Sequence, residues 1–144
     1  MVLFDPSVWG PHYWFFLNSI AVTYPKYPNS ITKKIYYDFI QHFHLFIPVK
    51  EHSENFNKLL SNYPVVPYLE DRESFVRWVH FIHNKINEQL NKPNIPYSSF
   101  YENYYSNYKD KITQGTENRK FYKKIIYFTL ILVLFISIYY LYNK

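Results

Sequence analysis

Two short stretches carry the side chains with chemical potential. WVHFIHNKIN, residues 78–87, sets His80, His83, Asn84 and Asn87 at helical spacing. At 100° per residue these four fall in one sector of about 100°, beside an apolar stripe. Four hydrogen-bonding side chains at the rim of a core need partners. The arrangement reads either as a polar helix edge, bonded to water and to neighbouring helices, or as a ligand site. It is short of donors for a metal, because His80 and His83 give two ligands where zinc takes three or four, and His42 and His44 lie elsewhere in the chain. IPVKEHSENF, residues 47–56, is the second stretch, with Val49 and His52 three apart just after Pro48. The chain contains no cysteine, which excludes disulfides, thiolate nucleophiles and thiolate metal sites.

The elements that must position these residues are helical. With 17 Tyr, 13 Phe and only 2 Gly in 144 residues, large rings can fill a small core and a loop-rich β fold is disfavoured. A first helix is expected over 11–24, carrying Trp14, Leu17, Ala21 and Tyr24 and closed by Pro25 and Pro28. A second starts at an Asn29 or Ser30 cap and runs to Phe46, with Ile31, Ile35, Phe39, His42 and Phe46 on one face. The third follows Pro48 and carries Phe56, Leu59 and Leu60. Residues 62–67, NYPVVP, read as a proline-bounded extended connector. The fourth helix runs from about Asp71 to Asn91 on the stripe Phe75, Val79, Ile82, Ile86 and Leu90. A short fifth covers about 98–106. The expected class is all-α: a four-helix bundle plus a short fifth helix over 1–106, a polar, basic linker at 107–122, and a transmembrane tail anchor at 123–142.

Charge separates these parts. Residues 1–108 hold nine Lys/Arg and nine Asp/Glu, whereas 109–124 hold six basic and two acidic residues. A neutral helical domain lacks the basic face that nucleic acid requires, so nucleic acid is not an expected partner. Ile125 to Tyr142 is an 18-residue run broken only by Thr129 and Ser137. At about 1.5 Å per residue it reaches roughly 27 Å, near the hydrocarbon thickness of a bilayer. Arg119, Lys120, Lys123 and Lys124 precede it, which puts the folded domain on the cytosolic side of a single-pass membrane protein. The N-terminus lacks the pattern of a signal peptide, and the chain holds no N-x-S/T sequon.

Three motifs in order then carry a resemblance. WGPHYWFFLNSIAVTYP at 9–25, FIQHFHLFIPVKEHSENF at 39–56 and YLEDRESFVRWVHFIHNKINEQLNKP at 68–93 are similar to the signatures of the Erv/ALR family of FAD-linked sulfhydryl oxidases. The compact versions made by large DNA viruses are the nearest in kind, which makes a host membrane or a virion the expected location. The resemblance covers residues 8 to about 105. It implies a helical bundle holding FAD in its mouth, commonly as a homodimer. Family members pass electrons from a substrate dithiol through a Cys-x-x-Cys pair to the flavin and on to oxygen. Val49 stands where the first cysteine belongs, and His52 where the flavin-proximal one belongs. Asn18 and Asn55 replace histidines near the flavin. His80 and Tyr97 stand where some members have a second, structural pair. The cofactor-facing positions implied are Gly10, Trp14, Asn18, Asn55, His83, Asn84, Asn87 and Lys92, which moves the polar flank of the fourth helix from bland edge towards ligand site.

Without sulfur the family reaction has no route. Val has no nucleophile, and imidazole can move a proton but cannot form a disulfide. The expected function is therefore a membrane-anchored family member without thiol oxidase activity, still able to bind FAD, acting as a scaffold or in a heterodimer with an active paralogue. The alternative is a flavoenzyme working on thiols supplied by a partner, or by other chemistry. A plain structural membrane protein, with the Tyr-rich stretch 100–108 closing the bundle or meeting a partner, is a third reading.

Overall fold

The computed structural model describes residues 4–143, and the side chains of 4–109 and 118–143. Five α-helices follow one another: α1 Pro6–Thr23, α2 Ser30–Phe43, α3 Lys50–Asn62, α4 Arg72–Gln89 and α5 Phe100–Tyr142. Short 3-10 turns stand at His44–Phe46, Val66–Tyr68 and Tyr97–Ser99. The chain divides into two units, Met1–Tyr104 and Tyr105–Lys144.

Side-chain caps set the starts of the first, second and fourth helices. Asp5 accepts from the Ser7 amide at 2.8 Å, Asn29 from the Thr32 amide at 2.8 Å, and Asp71 from the Ser74 amide at 2.9 Å. The Ser74 amide and hydroxyl hold the Asp71 carboxyl below its ordinary range. α1 begins five residues earlier than its apolar spacing predicts. Pro6 lies in the first turn, where its missing N–H costs nothing, and Pro11 is accommodated inside.

The core forms where α1 packs on α4 and α3 joins α4. Leu17, Ala21 and Tyr24 of α1, Phe56, Leu59 and Leu60 of α3, and Phe75, Val79 and Ile82 of α4 are buried as their spacing predicts. Tyr24 also donates its hydroxyl to the Leu69 carbonyl at 2.8 Å, and Trp78 donates its indole N–H to the Tyr63 carbonyl at 3.0 Å. Both large polar rings are thereby buried without an orphaned donor.

Four expectations need correction. The buried face of α2 carries Tyr36, Ile40 and Phe43, while Ile31, Ile35, His42 and Phe46 are exposed. Leu90, at the end of the α4 stripe, is exposed as well. The connector after α3 is not extended throughout: Val66–Tyr68 winds into a 3-10 turn, with Pro67 supplying a helical φ. Nor is the fifth helix short. α5 is helical through the stretch that composition reads as a linker, since Pro96 is the last proline and a single Gly is too weak a breaker to stop a helix.

Within the second unit, Asn118–Tyr142 is long and apolar enough to cross a membrane, and none of it is buried. Its Thr and Ser hydroxyls bond back to their own helix, Thr129 to the Ile126 carbonyl at 2.8 Å and Ser137 to the Val133 carbonyl at 2.9 Å. That is what a polar side chain surrounded by hydrocarbon requires.

Candidate functional site

The α1–α4 seam gathers one group of candidate residues. Trp14, half-buried on α1, stacks on His83 of α4 with ring centroids 3.9 Å apart and planes 10° from parallel. Burial, with the nearby charges of His80 and Lys92, pushes the His83 imidazole down to about 4 from an ordinary 6.5. His83 is thus neutral at physiological pH, a flat face for stacking. One turn beyond Trp14, the Asn18 side-chain oxygen is buried without a hydrogen-bond partner. A buried acceptor without a donor is rare enough to mark a place where one is missing. Between these residues and α2–α3, Trp14, Leu17, Ile40, Phe56, Trp78 and Ile82 line a narrow apolar seam.

The rest of the α4 flank turns inward on its own chain. The Ile95 carbonyl accepts from His80 Nε2 at 2.8 Å and from Asn84 Nδ2 at 2.9 Å, and the Ile95 amide donates to Asn84 Oδ1 at 2.9 Å. Asn87, buried beside them, reaches Asn84 Oδ1 at 3.5 Å, and its backbone carbonyl accepts from the Lys92 amide at 2.8 Å. Asn84 therefore grips the connector after α4 in the manner of a paired strand. The Lys92 side chain is exposed, and its charge is felt at both His83 and Asp5. Gly10 meets nothing within 4 Å of where a Cβ would stand, so no close approach demands a glycine there.

The second group lies at the start of α3. Val49 is the N-cap residue, half-buried, and makes no side-chain capping bond. His52 occupies the first turn and meets Trp9 edge-on, with centroids 5.9 Å apart. Trp9 in turn packs against Tyr13 at 5.2 Å, whose hydroxyl donates to the Phe46 carbonyl at 2.7 Å. Asn55 follows one turn later, half-buried. Ser53 donates to the His44 carbonyl at 2.6 Å, while His44 Nδ1 is buried without a partner. A pair of positions three apart at a helix N-terminus is where amide dipoles would stabilise a thiolate. Here that place holds an isopropyl group and an imidazole.

A third cluster, around Glu73, escaped the sequence reading except for the pair His80 and Tyr97. Glu73 accepts from the Tyr97 hydroxyl at 2.7 Å and the Tyr101 hydroxyl at 3.2 Å, and pairs with Arg77 at 2.9 Å. Arg77 also lies over the Tyr97 ring, 4.3 Å from its centroid, and His80 meets that ring edge-on at 5.2 Å. Burial and the Glu73 carboxylate push the Tyr97 phenol well up. The i, i+4 spacing of Glu73 and Arg77 was the available signal. The resemblance had already set Tyr97 beside His80, and nothing in the pattern pointed to Tyr101. Among the described residues, no group of three or more His, Asp or Glu converges as a metal site.

Residues 11–106 match the Erv1 / Alr family. The chain belongs to that family. It is 31% identical over 94 residues to a probable FAD-linked sulfhydryl oxidase of Acanthamoeba polyphaga mimivirus, covering 65% of this chain and 66% of that one. It is 30% identical over 89 residues to the mitochondrial FAD-linked sulfhydryl oxidase erv1 of Schizosaccharomyces pombe, covering 62% of this chain and 49% of that one. The match thus spans between half and two thirds of the length of these relatives. Among solved structures, the FAD-binding domain of Erv1 from Saccharomyces cerevisiae superposes with a TM-score of 0.64 at 28% identity, over 69% of this chain and 93% of that one. Both groups of candidate residues lie inside the matched region except Gly10 and Trp9, which just precede it.

Proposed function

We propose that this chain is a membrane-anchored member of the family that retains a flavin site, lacks dithiol oxidase activity and serves as a scaffold or dimer partner for a cysteine-bearing relative. The reading rests on the start of α3, where Val49 is the N-cap and His52 lies in the first turn, the places that the resemblance gives to a redox pair, in a chain with no cysteine. Dithiol oxidation needs a thiolate to attack and a second sulfur to be released. Val49 offers neither. His52 can hold or move a proton, and Trp9 fixes the edge of its ring. No tuning of that imidazole creates a two-electron carrier.

The residues that remain suit FAD. The Trp14–His83 pair presents an aromatic face, Asn18 offers a buried acceptor without a donor, and Lys92 brings an exposed cation. The 3.9 Å stack leaves no space for a third ring between its members, so a planar ligand lies against the outside of the pair or parts it. FAD, when bound, supplies two-electron acceptance and transfer to oxygen. The chain's residues supply the stacking face, the acceptor and water exclusion. Asn84 has a different task, since both ends of its amide are spent on Ile95. It positions the connector that carries Lys92. The long apolar helix with its self-bonded Thr129 and Ser137 supports the anchor, and the basic residues before it support a cytosolic bundle.

The test restores what is missing. The 144-residue chain, purified in detergent with added FAD, is expected to carry a flavin absorbance band and to consume no oxygen with dithiothreitol beyond the rate of free flavin. The double variant Val49→Cys, His52→Cys is expected to gain dithiol-dependent oxygen uptake at least about tenfold above that background. Oxygen uptake by the unaltered chain at that level would sink the reading. A colourless protein whose double variant stays inert would remove the flavin site from it.

A further inference from the structure

The apolar part of α5 is shorter than the helix that contains it. Asn118–Tyr142 is 25 residues long, but Lys123 and Lys124 lie inside it, and the uninterrupted apolar run begins at Ile125. Hydroxyl groups mark where the run ends. Thr129 and Ser137 return theirs to their own helix, at 2.8 Å to the Ile126 carbonyl and 2.9 Å to the Val133 carbonyl, so both tolerate hydrocarbon. Tyr139, Tyr140 and Tyr142 cannot do the same, because a phenol holds its hydroxyl beyond reach of its own backbone. All three are exposed, and none of their hydroxyls has a partner among the described residues. An unpaired hydroxyl in hydrocarbon is costly, so these three belong at the level of headgroups and water. Side chains lean towards the N-terminus of their helix, which for these tyrosines is back into the bilayer. The Tyr139 Cα therefore stands beyond the hydrocarbon boundary. Tyr127 leans outwards instead, towards Lys124 and the near headgroups.

Fourteen residues, Ile125 to Ile138, are left to fill the hydrocarbon. At about 1.5 Å per residue they reach about 21 Å, and the whole run to Tyr142 about 27 Å. Tilt shortens both. A bilayer of average thickness needs about 30 Å and a sterol-rich plasma membrane about 32–33 Å, whereas the membrane of the endoplasmic reticulum needs about 27 Å. We propose that this anchor is matched to a thin, sterol-poor bilayer and is excluded from thick, sterol-rich ones, so that the length of the span chooses the membrane as well as crossing it. The inference rests on the anchor reading above. In a thick bilayer the tyrosine hydroxyls are drawn into hydrocarbon or the lipid must thin around the helix. The Lys124 stem can lift its charge outwards, but the inward-leaning tyrosines have no such recourse. A shortfall of about 6 Å makes the thick membrane about tenfold less favourable.

The 144-residue chain in detergent is diluted into an equal mixture of two vesicle populations that separate by density. The thin one is dipalmitoleoyl-phosphatidylcholine, and the thick one is dierucoyl-phosphatidylcholine with cholesterol. Protein that resists alkaline carbonate is counted in each, and at least about fivefold more is expected in the thin vesicles. Two variants control for ease of insertion. Four leucines added after Val133 lengthen the run by about 6 Å and are expected to remove the preference. Tyr139→Phe, Tyr140→Phe and Tyr142→Phe together keep the rings, remove the hydroxyls and are expected to reduce it at least about twofold. A preference that neither variant moves overturns the proposal. A chain washed out of both populations overturns the anchor reading and this inference with it, whereas one held equally by both overturns the inference alone.

Discussion

The α4 flank and the first turn of α3 are built on opposite principles. On α4, His80 and Asn84 are closed onto the Ile95 backbone, and Asn87 is buried against them. At the start of α3, Val49 caps nothing, His52 makes only a ring contact, and the neighbouring His44 keeps a buried nitrogen unpartnered. The first region holds the architecture together through its polar atoms. The second is attached to an architecture held by other residues, because Phe56, Leu59 and Leu60 anchor α3 from its later turns. A change of chemistry at residues 49 and 52 therefore leaves the bundle intact. The same freedom does not extend to residues 80–87.

That contrast can be broken by three measurements on the urea midpoint of the bundle, read from tryptophan fluorescence, since all three tryptophans lie before residue 79. The largest effect is expected from pH. His83 titrates at about 4 when folded and near 6.5 when unfolded, so the unfolded chain binds the extra proton between those values. The stability tied to its neutral form is complete above about pH 6.5 and is lost as pH falls towards 4, by about 3 kcal/mol in all. His83→Phe, which keeps a ring on Trp14, is expected to flatten that window. An unchanged slope would place the proton elsewhere. Next in size is Asn84→Ala, which strips two bonds from Ile95 and is expected to cost about 2 kcal/mol. A neutral result would mean that the connector finds other partners. Smallest is Val49→Ala, expected to cost about 0.5 kcal/mol, because the side chain is half-buried and bonds to nothing. A loss as large as that at Asn84 would erase the difference between the two regions.

Much of the bundle was legible because its periodicity is unambiguous on α1, α3 and α4. On α2 it is not. Ile31 and Ile35 mark one apolar face at i, i+4, and Tyr36, Ile40 and Phe43 mark another. Only tertiary packing decides between them, and it chooses the aromatic one. The linker reading of 107–122 leaned on polarity and one Gly. Polarity excludes a buried helix without excluding a solvated one. At the site, residue types pointed to His83 and the family resemblance to Trp14, and the structure stacks them. The spacing could not reveal that Asn84 spends itself on Ile95, because that partner lies in a segment without periodicity.

The exit from α4 has a consequence of its own. Asn91 takes a left-handed φ of 53°, the Lys92 amide returns to the Asn87 carbonyl, and three residues later Ile95 is gripped by Asn84. These two fixed points work as a ruler with Pro93 and Asn94 as its only graduations. Between them Asn94 donates to Glu88 Oε1 at 3.1 Å, and inserting or deleting a single residue would put one end out of reach. The connector is thus intolerant in length, where an exposed loop usually accepts insertions and deletions.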